Sequence, residues 1–229
     1  DATTGAEGPH RAGFVALIGE PDAGKSTLIN KMVGAKVSIV THKVQTTRTR
    51  IRGIAMQGAS QIVFVDTPGI FRPRRRLDRS MVAAAWGGAA DADVIVLLIE
   101  ANRGLTEGAK AIIAGLRDRF PSGGQVALAI NKIDKDNADV PRVMAQLAEQ
   151  QLTPEAWGGD TIVVEMAAQS GLGVDEMLEQ LAVVAEINEL VANPTGRAKG
   201  IVLEAQMDVG RGPVATVLVD KWTLKVGDR

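Results

Sequence analysis

The 229-residue chain contains no cysteine and no tyrosine. Without cysteine it can form neither disulfide bonds nor a thiolate metal site, which is consistent with a reducing compartment, and we expect a cytoplasmic location. Aromatic residues make up only 3% of the sequence, so an extended stacking platform for single-stranded RNA is not expected. The longest purely apolar runs fall far short of the roughly 20 residues of a transmembrane helix, and we expect no membrane span.

Acidic residues are missing from one long stretch, although the net charge of the chain is only −1. No Asp or Glu occurs between Asp22 and Asp66. The basic residues there are Lys25, Lys31, Lys36, Lys43, Arg48, Arg50 and Arg52. A second basic cluster comprises Arg72, Arg74, Arg75, Arg76 and Arg79. The pattern predicts an anionic partner near this half of the molecule; the alternative is a solvated basic face.

The overall balance, 45% apolar and 23% charged residues, is that of an ordinary globular protein. The length suits one medium domain, or one domain plus a smaller piece. The N-terminal "DATTGAEGPHRAG" has neither the basic start nor the apolar run of a signal peptide. It also lacks an initiator Met, which indicates a fragment, and we expect residues 1–11 to form a mobile tail.

Short apolar runs alternate with segments of helical period. The runs that predict buried strands are Phe14–Ile18, Ile62–Val65, Val94–Ile99, Val126–Ile130 and Thr161–Val164. The segments that predict helices are Lys25–Val33, Leu77–Ala90, Thr106–Arg119, Pro141–Gln151 and a last helix on which Val174 to Leu190 mark one face, with Thr106 and Asp139 as N-caps. This alternation predicts an α/β fold with a doubly wound, mainly parallel sheet. Ligands of such sheets bind at the carboxyl ends of the strands.

The residue pattern changes near the C-terminus. We expect a domain over residues 12–192 and a linker over 193–199, in the segment "ANPTGRAKG". Residues 200–229 then show strand alternation in three stretches, Ile201–Ala205, Val214–Val219 and Trp222–Val226. Because three strands cannot close a barrel, we interpret 200–229 as the truncated start of a β-barrel domain.

The first predicted strand runs into "GEPDAGKST", a phosphate-binding loop of the form G-x-x-x-x-G-K-S. Its backbone N–H groups and the positive end of the following helix favour phosphate. Lys25 is expected to bridge the β- and γ-phosphates, and the Ser26 hydroxyl to ligate Mg²⁺. The residues predicted to line the nucleotide here are Gly19, Asp22, Ala23, Gly24, Lys25, Ser26 and Thr27.

The next apolar strand ends in "DTPG". Asp66 stands where an acid holds the Mg²⁺ of a bound nucleotide. Gly69 can offer its backbone N–H to a γ-phosphate without a clashing Cβ. Upstream, Thr47 is the expected second hydroxyl ligand of Mg²⁺, with Thr46 as the alternative.

A third strand ends in Asn131-Lys132-Ile133-Asp134. The Asp134 carboxylate can accept hydrogen bonds from guanine N1–H and the exocyclic amine, which adenine lacks. A wrong base would leave a buried acceptor unpaired, at a cost of roughly 1–3 kcal/mol. Lys132 can lay its stem along the base while its ammonium stays in water, and Asn131 can brace the base or the neighbouring loops. The three motifs together predict a guanine nucleotide site.

Residues 12 to about 130 resemble the GTPase domain of the Era-type ribosome-assembly GTPases. The resemblance rests on "GEPDAGKST", "VFVDTPGIF" and "ADVIVLLIEANRGLTEG". It implies a Mg²⁺-dependent GTPase that binds GTP and GDP and acts on the small ribosomal subunit or its RNA. No segment of this sequence resembles the RNA-binding domain of that family, so we expect the basic segments to contact RNA.

From Asn131 onward the chain resembles the GTPase domain of bacterial translation initiation factor 2 and the start of its β-barrel. The carrying segments are "NKIDKDNADVPRVMAQLAEQQLTPEAWGGD", "VVEMAAQSGLGVDEMLEQL" and "GIVLEAQMDVGRGPVATVLVDKWTLKVGD". The guanine loop of that family appears as Ala167, Ala168 and Gln169. This implies that Ala168 gives its backbone N–H to guanine O6 and that the Ser and Lys contributions are lost. Because the two likenesses meet at the guanine motif, they suggest a chimera.

Three positions depart from these family patterns. At position 70, translational GTPases have a His that positions the attacking water. Here the residue is Ile70, and Era-type enzymes likewise lack the His, which implies slow hydrolysis. Asp22 replaces an Asn that is associated with a potassium ion in related enzymes; a carboxylate can ligate K⁺ too but adds negative charge beside the phosphates. Trp222 replaces a turn glycine and is unfavourable if that position has positive φ.

The expected function is therefore a GTP-hydrolysing switch in which GTP orders the loops around Thr47 and Gly69, the catalytic set being Lys25, Thr47 and Gly69. Two alternatives stay open. One is a GTP/GDP-binding module with little turnover, and the other is a translation-factor fragment that docks on the ribosome through its barrel. We expect a monomer.

Overall fold

The computed structural model describes residues 11–34, 51–58, 60–65, 67–71, 73, 75–120, 125–190, 196–210 and 212–228. These contain strands β1 (Arg11–Gly19), β2 (Ile51–Gln57), β3 (Ser60–Val65), β4 (Val94–Glu100), β5 (Gln125–Asn131), β6 (Val163–Glu165), β7 (Lys199–Asp208) and β8 (Gly212–Lys221). The helices are α1 (Lys25–Val33), α2 (Arg76–Ala90), α3 (Glu107–Arg119), α4 (Val140–Glu149) and α5 (Val174–Ile187), with a 3₁₀ turn at Glu155–Trp157. Over this part of the chain, no helix combines the length and the apolar character needed to cross a membrane.

The main sheet has six strands in the order β2-β3-β1-β4-β5-β6. All neighbours are parallel except the edge pair β2 and β3, which is antiparallel. From β1 the chain builds outward to β3 on one side and to β4 on the other, so β1 lies at the switch point of a doubly wound sheet. The predicted mainly parallel α/β fold is confirmed.

Alternate residues of β1 face two separate cores. Val15 and Leu17 pack with apolar residues of α1 and α5 on one face of the sheet. Ala16 and Ile18 pack with residues of α2, α3 and α4 on the other face. Every residue of the neighbouring strand β4 is buried. Burial on both faces explains why the central strands are continuous apolar runs without alternation.

Two helix starts follow the predicted capping chemistry. The Thr106 hydroxyl accepts a hydrogen bond from the Ala109 N–H at 3.1 Å, at the start of α3. The Asp139 carboxylate accepts one from the Arg142 N–H at 3.0 Å, at the start of α4. Each bond satisfies a donor that the first helical turn leaves without an intrahelical partner. Both N-cap predictions are confirmed.

The structure differs from the sequence-based expectations in one strand and at the ends of several elements. Strand β2 was not predicted, because "IRGIAMQ" is an edge strand interrupted by Arg52 and Gly53. Arg11 was expected in the tail but begins β1 in register with Ser60, and its side chain pairs with Glu186 at 3.2 Å. Lys199 was expected in the linker but begins β7. Residues 1–10 and 191–195, in the expected tail and around the start of the expected linker, lie outside the described residues.

The C-terminal strands form a separate antiparallel pair, β7 and β8, joined in register from Lys199 with Lys221 to Asp208 with Gly212. The predicted third strand, Trp222–Val226, is wrong. Trp222 has φ 61°, which breaks the extended backbone, and a turn follows in which the Asp228 N–H donates to the Lys225 carbonyl at 3.1 Å. Position 222 is thus a positive-φ site that carries a bulky residue, which is energetically unfavourable.

Two glycines before α5 allow the cost of a tight backbone approach to be measured. Both have positive φ, 96° at Gly171 and 75° at Gly173. A Cβ at Gly171 would meet open space, whereas one at Gly173 would lie 2.2 Å from the Glu165 carbonyl oxygen at the end of β6. Gly171→Ala should lower the free energy of unfolding by about 1–2 kcal/mol through backbone strain alone. Gly173→Ala should lower it further, because β6 must shift. Urea unfolding measures both, and equal losses would contradict the steric explanation.

Candidate nucleotide-binding site

The predicted site residues gather at one edge of the sheet. Strands β1, β3, β4, β5 and β6 run parallel, so the loops that follow them meet at the carboxyl ends. These loops are 20–24, 67–70, 101–106, 132–139 and 166–173. Three of the predicted residues, Thr46, Thr47 and Asp66, lie outside the described residues.

The phosphate loop curls around the side chain of Lys25. Its ammonium donates to the carbonyl oxygens of Gly19 at 3.1 Å and Glu20 at 2.8 Å. Gly24 has φ 99° and precedes α1, and a Cβ there would lie 2.3 Å from Asn131 Nδ2. Gly24 is therefore required both for its backbone angle and for space. No acidic residue occupies the first turn of α1, so the positive end of this helix remains available to an anion.

Asp22 fits the backbone of this loop. It has φ 64°, in the left-handed region that Asn and Asp adopt more readily than most other non-glycine residues. Its side chain is exposed, whereas neighbouring Ala23 is buried. The departure from Asn at this position is thus compatible with the loop conformation, and its effect is one of charge.

Residues 67–70 are fastened against the phosphate loop and β1. The Thr67 hydroxyl donates to the Leu17 carbonyl, and the Ile70 N–H donates to the Gly19 carbonyl at 3.0 Å. A Cβ at Gly69 would lie 2.9 Å from the Pro21 nitrogen, so only glycine permits this approach. The Ile70 side chain is buried in the core beside α2 and α3. It therefore has neither the chemistry nor the position to orient an attacking water.

Ser26 is the one predicted Mg²⁺ ligand within the described ranges. It lies exposed in the first turn of α1, directly after Lys25, where its hydroxyl can reach a cation held by the phosphates. No cluster of three or more His, Asp or Glu that could bind a metal by itself occurs in the part of the chain described.

Asn131 joins two loops of the site. Its side chain is buried, at 2% exposure. Its amide nitrogen donates to the Ala23 carbonyl at 2.8 Å, and its amide oxygen accepts from the Ala168 N–H at 2.9 Å. Of the two roles left open for Asn131, the structure shows the bracing of neighbouring loops. The Ala168 N–H that was expected to bind guanine O6 is donated to Asn131 in this conformation.

Lys132 has an ion-pair partner that the sequence did not reveal. Its ammonium lies 2.6 Å from Glu100 Oε2, and Arg103 Nη1 lies 3.2 Å from Glu100 Oε1. In this conformation the ammonium is thus paired with a carboxylate, while 27% of the Lys132 side chain stays exposed. Glu100 ends the apolar run of β4 in register with Asn131. The sequence signal that could have indicated this ion pair is the carboxylate at the end of a long apolar run, since the next predicted strand ends in the guanine motif.

The remaining guanine-site residues differ in exposure. Asp134 and Gln169 are exposed, whereas Ala167 and Ala168 are buried. The Asp134 carboxylate thus lies on the open side of the site, where a base can reach it.

Glu20 is a second residue that the motif analysis missed. Its Oε2 accepts a hydrogen bond from the Thr106 hydroxyl at 2.6 Å. A Cβ at Gly108 would lie 2.3 Å from Glu20 Oε1, so the carboxylate sits against the first turn of α3. This end of a helix favours negative charge. Glu20 thereby ties the phosphate loop to α3.

The family model described as "50S ribosome-binding GTPase" matches residues 14–132, which is more than half of the chain. The chain belongs to this GTPase family. The match runs from β1 through Lys132, and so includes the phosphate loop, the "DTPG" segment and the first half of the guanine motif.

Curated relatives place the similarity within the family more narrowly. The chain is 73% identical over 132 residues to GTPase Era of Dinoroseobacter shibae, covering 58% of this chain and 43% of the relative. It is 51% identical over 178 residues to GTPase Era of Rhizobium meliloti, covering 76% of this chain and 53% of the relative. The second alignment is longer than the segment 12–130, so the likeness to Era extends past the predicted change at Asn131. The chain spans about half the length of these relatives.

A solved structure of Era in complex with MgGDPNP and nucleotides 1506–1542 of 16S ribosomal RNA shares the fold. Its TM-score to this structure is 0.61 at 31% sequence identity, and the match covers 81% of this chain and 59% of that one. The GTPase fold inferred from the sequence is thereby confirmed.

The brace formed by Asn131 can be tested by removing it. Asn131→Ala would leave the Ala23 carbonyl and the Ala168 N–H buried without partners, and each should cost about 1–3 kcal/mol. The matched control is Asn137→Ala in the following loop, where the side chain is exposed and the change should stay within about 0.5 kcal/mol. Urea unfolding of the nucleotide-free proteins measures both. Equal midpoints would show that the two hydrogen bonds do not hold the loops.

Proposed function

We propose that this protein is a Mg²⁺-dependent molecular switch that binds GTP and hydrolyses it slowly. The observation that carries the proposal is the link from Asn131 to both the phosphate loop and Ala168. This link brings a phosphate-binding loop and a base-reading loop to one sheet edge, as a nucleoside triphosphate requires. Membership of the GTPase family supports the same reading.

At the phosphate end, Lys25 would exchange its two carbonyl partners for β- and γ-phosphate oxygens. Gly69 would present its N–H to the γ-phosphate from its position against Pro21. Ser26, Thr47 and Asp66 would hold Mg²⁺, with Thr46 as the alternative to Thr47. The ion would neutralise charge between the β- and γ-phosphates. Since Gly69 would contact the γ-phosphate that hydrolysis removes, and Thr47 would contact the ion beside it, their loops would be released afterwards.

At the base end, Asp134 would accept from guanine N1–H and the exocyclic amine, and the stem of Lys132 would cover one face of the ring. The Ala168 N–H, which donates to the Asn131 amide oxygen, would donate to guanine O6 as well. Ala167 and Gln169 flank Ala168 but supply neither the hydroxyl nor the ammonium of the usual guanine loop.

A second candidate is a GTP/GDP-binding module with little turnover. Burial of Ile70 in the core favours the binding module, because residue 70 then offers no side chain that could position the attacking water. Asp22 also favours it, since an exposed carboxylate beside the phosphates opposes their charge and alters any K⁺ dependence. Comparing turnover in potassium and in sodium addresses the role of Asp22.

We infer that the partner is the small ribosomal subunit or its RNA, and that the protein acts in ribosome assembly in the cytoplasm as a monomer. The support is the solved Era complex with a 16S ribosomal RNA segment. Within the described residues, Arg75, Arg76 and Arg79 are exposed at the start of α2, which provides a basic surface for phosphates.

We also propose that residues 131–229 continue as in translation initiation factor 2, with β7 and β8 as the opening of a barrel domain; for the first part of this segment the Era alignment that extends past Asn131 is the competing interpretation. Support comes from the antiparallel pairing and from exposed apolar side chains, among them Val202, Met207 and Val217. A two-stranded hairpin is marginally stable alone, so it needs further strands or a covering surface. A chimeric origin is a further hypothesis, and docking on the ribosome through this hairpin is the third candidate function.

Base selectivity gives the first test. GDP and GTP should displace a fluorescent GDP analogue, whereas ATP should not, because adenine cannot donate to Asp134. Asp134→Asn should lower guanine nucleotide affinity about ten- to a hundredfold and favour xanthine nucleotides. Asp136→Asn is the matched control, since Asp136 is exposed on the same loop and should leave affinity unchanged. Equal displacement by ATP would remove the guanine assignment.

Hydrolysis gives the second test. Under single-turnover conditions the protein should convert GTP to GDP slowly and only with Mg²⁺. Lys25→Ala should reduce the rate at least about a hundredfold, because a charge that stabilises the transition state is lost. Lys31→Ala, exposed near the end of the same helix, should not. If Lys25→Ala keeps the full rate, the measured turnover belongs to a contaminant, and the binding-module reading takes precedence.

A further inference from the structure

Glu100 is a buried carboxylate with both oxygens engaged. It is 7% exposed at the end of β4. Oε2 contacts the Lys132 ammonium at 2.6 Å, and Oε1 contacts the Arg103 guanidinium at 3.2 Å. An isolated charge at such a position would be strongly unfavourable, so it must be paired. Each oxygen has its own cation, and the orientation of the carboxylate is therefore defined.

Glu100 is the last residue of β4, and Lys132 directly follows the last residue of β5. In the parallel pair of β4 and β5, Glu100 is in register with Asn131. The Ala101 N–H donates to the Asn131 carbonyl at 2.8 Å, which continues the ladder one residue beyond the strand. The ion pair thus spans two adjacent strand ends whose separation is set by backbone hydrogen bonds. Glu100, which lies on the strand itself, therefore holds its geometry better than a side chain on a loop would.

Lys132 needs such support. Its backbone has φ 63°, and its four-carbon stem has many rotamers to lose, at a cost of up to about 2 kcal/mol. The ion pair restricts those rotamers before any ligand arrives, while 27% of the side chain stays exposed. A stem held in place beforehand can cover a base without that entropic cost.

We propose that Glu100 is a positioning residue of the base site, which acts through Lys132 to raise affinity for guanine nucleotides. This rests on the proposed function, because it assigns a role within the same site. The role of Arg103 differs. Its side chain is 48% exposed, so it contributes to orienting Glu100 without contacting the base.

The test is a double-mutant cycle on the full chain, with a fluorescent GDP analogue as the probe. Glu100→Gln keeps the shape but removes the charge, and we expect affinity to fall about tenfold. In a Lys132→Ala background, Glu100→Gln should have no further effect, because the residue through which it acts is gone. Glu107→Gln is the matched control, because it removes the charge of an exposed glutamate that pairs with Lys110 on α3, and it should leave affinity unchanged.

Urea unfolding without nucleotide accompanies each variant. A purely structural Glu100 would give equal losses with and without Lys132, and that additivity would overturn the proposal, as would unchanged affinity of Glu100→Gln. If Glu100→Gln does not fold, Glu100→Asp retains the charge with one methylene less. Its loss of affinity should again disappear in the Lys132→Ala background. If the unmodified protein does not bind the GDP analogue at all, the proposed function fails and this role fails with it; normal binding with insensitive variants refutes the role of Glu100 alone.

Discussion

The side-chain amide of Asn131 is the contact on which the site depends. It lies between the phosphate loop and the 166–173 loop, and it satisfies one backbone group from each. The space for it exists because residue 24 has no Cβ. A buried amide is costly to leave unpaired. Separating the two loops would break both hydrogen bonds of Asn131, and this free-energy cost holds the loops together.

Other contacts extend this arrangement around the sheet edge. Ile70 joins the 67–70 loop to Gly19 through a backbone hydrogen bond. The Glu20 carboxylate joins the phosphate loop to the first turn of α3 through Thr106. Each contact links the end of one strand to the end, or the following helix, of another. In the described part of the site, the ends of the strands are thus tied together without a ligand, and such order lowers the cost of binding.

Much of the fold follows from local signals in the sequence. Continuous apolar runs identified the buried strands, and side-chain oxygens at Thr106 and Asp139 identified two helix starts, since both signals act within a few residues. The phosphate loop and the guanine motif were likewise visible, because their glycines and polar residues have fixed spacing. The location of Asn131 on a strand end also made its role as a brace one of two stated options.

The rest depended on which elements become neighbours. Glu100 and Glu20 have partners 32 and 86 residues away, and no local pattern pairs them. Strand β2 exists because β3 offers it an edge. The expected strand after residue 221 fails because Trp222 takes a positive φ, which residue identity alone would not indicate. Register and long-range pairing decided these points, and both are properties of the folded chain.

We expect the phosphate loop, the guanine motif and the 166–173 loop to form one guanine nucleotide pocket. Hydrogen exchange of the backbone amides, with and without GDP and Mg²⁺, tests this most directly. GDP should slow exchange together in residues 19–27, 131–134 and 166–169, and ATP at the same concentration should not. Protection confined to the phosphate loop, or equal protection by ATP, would contradict this expectation.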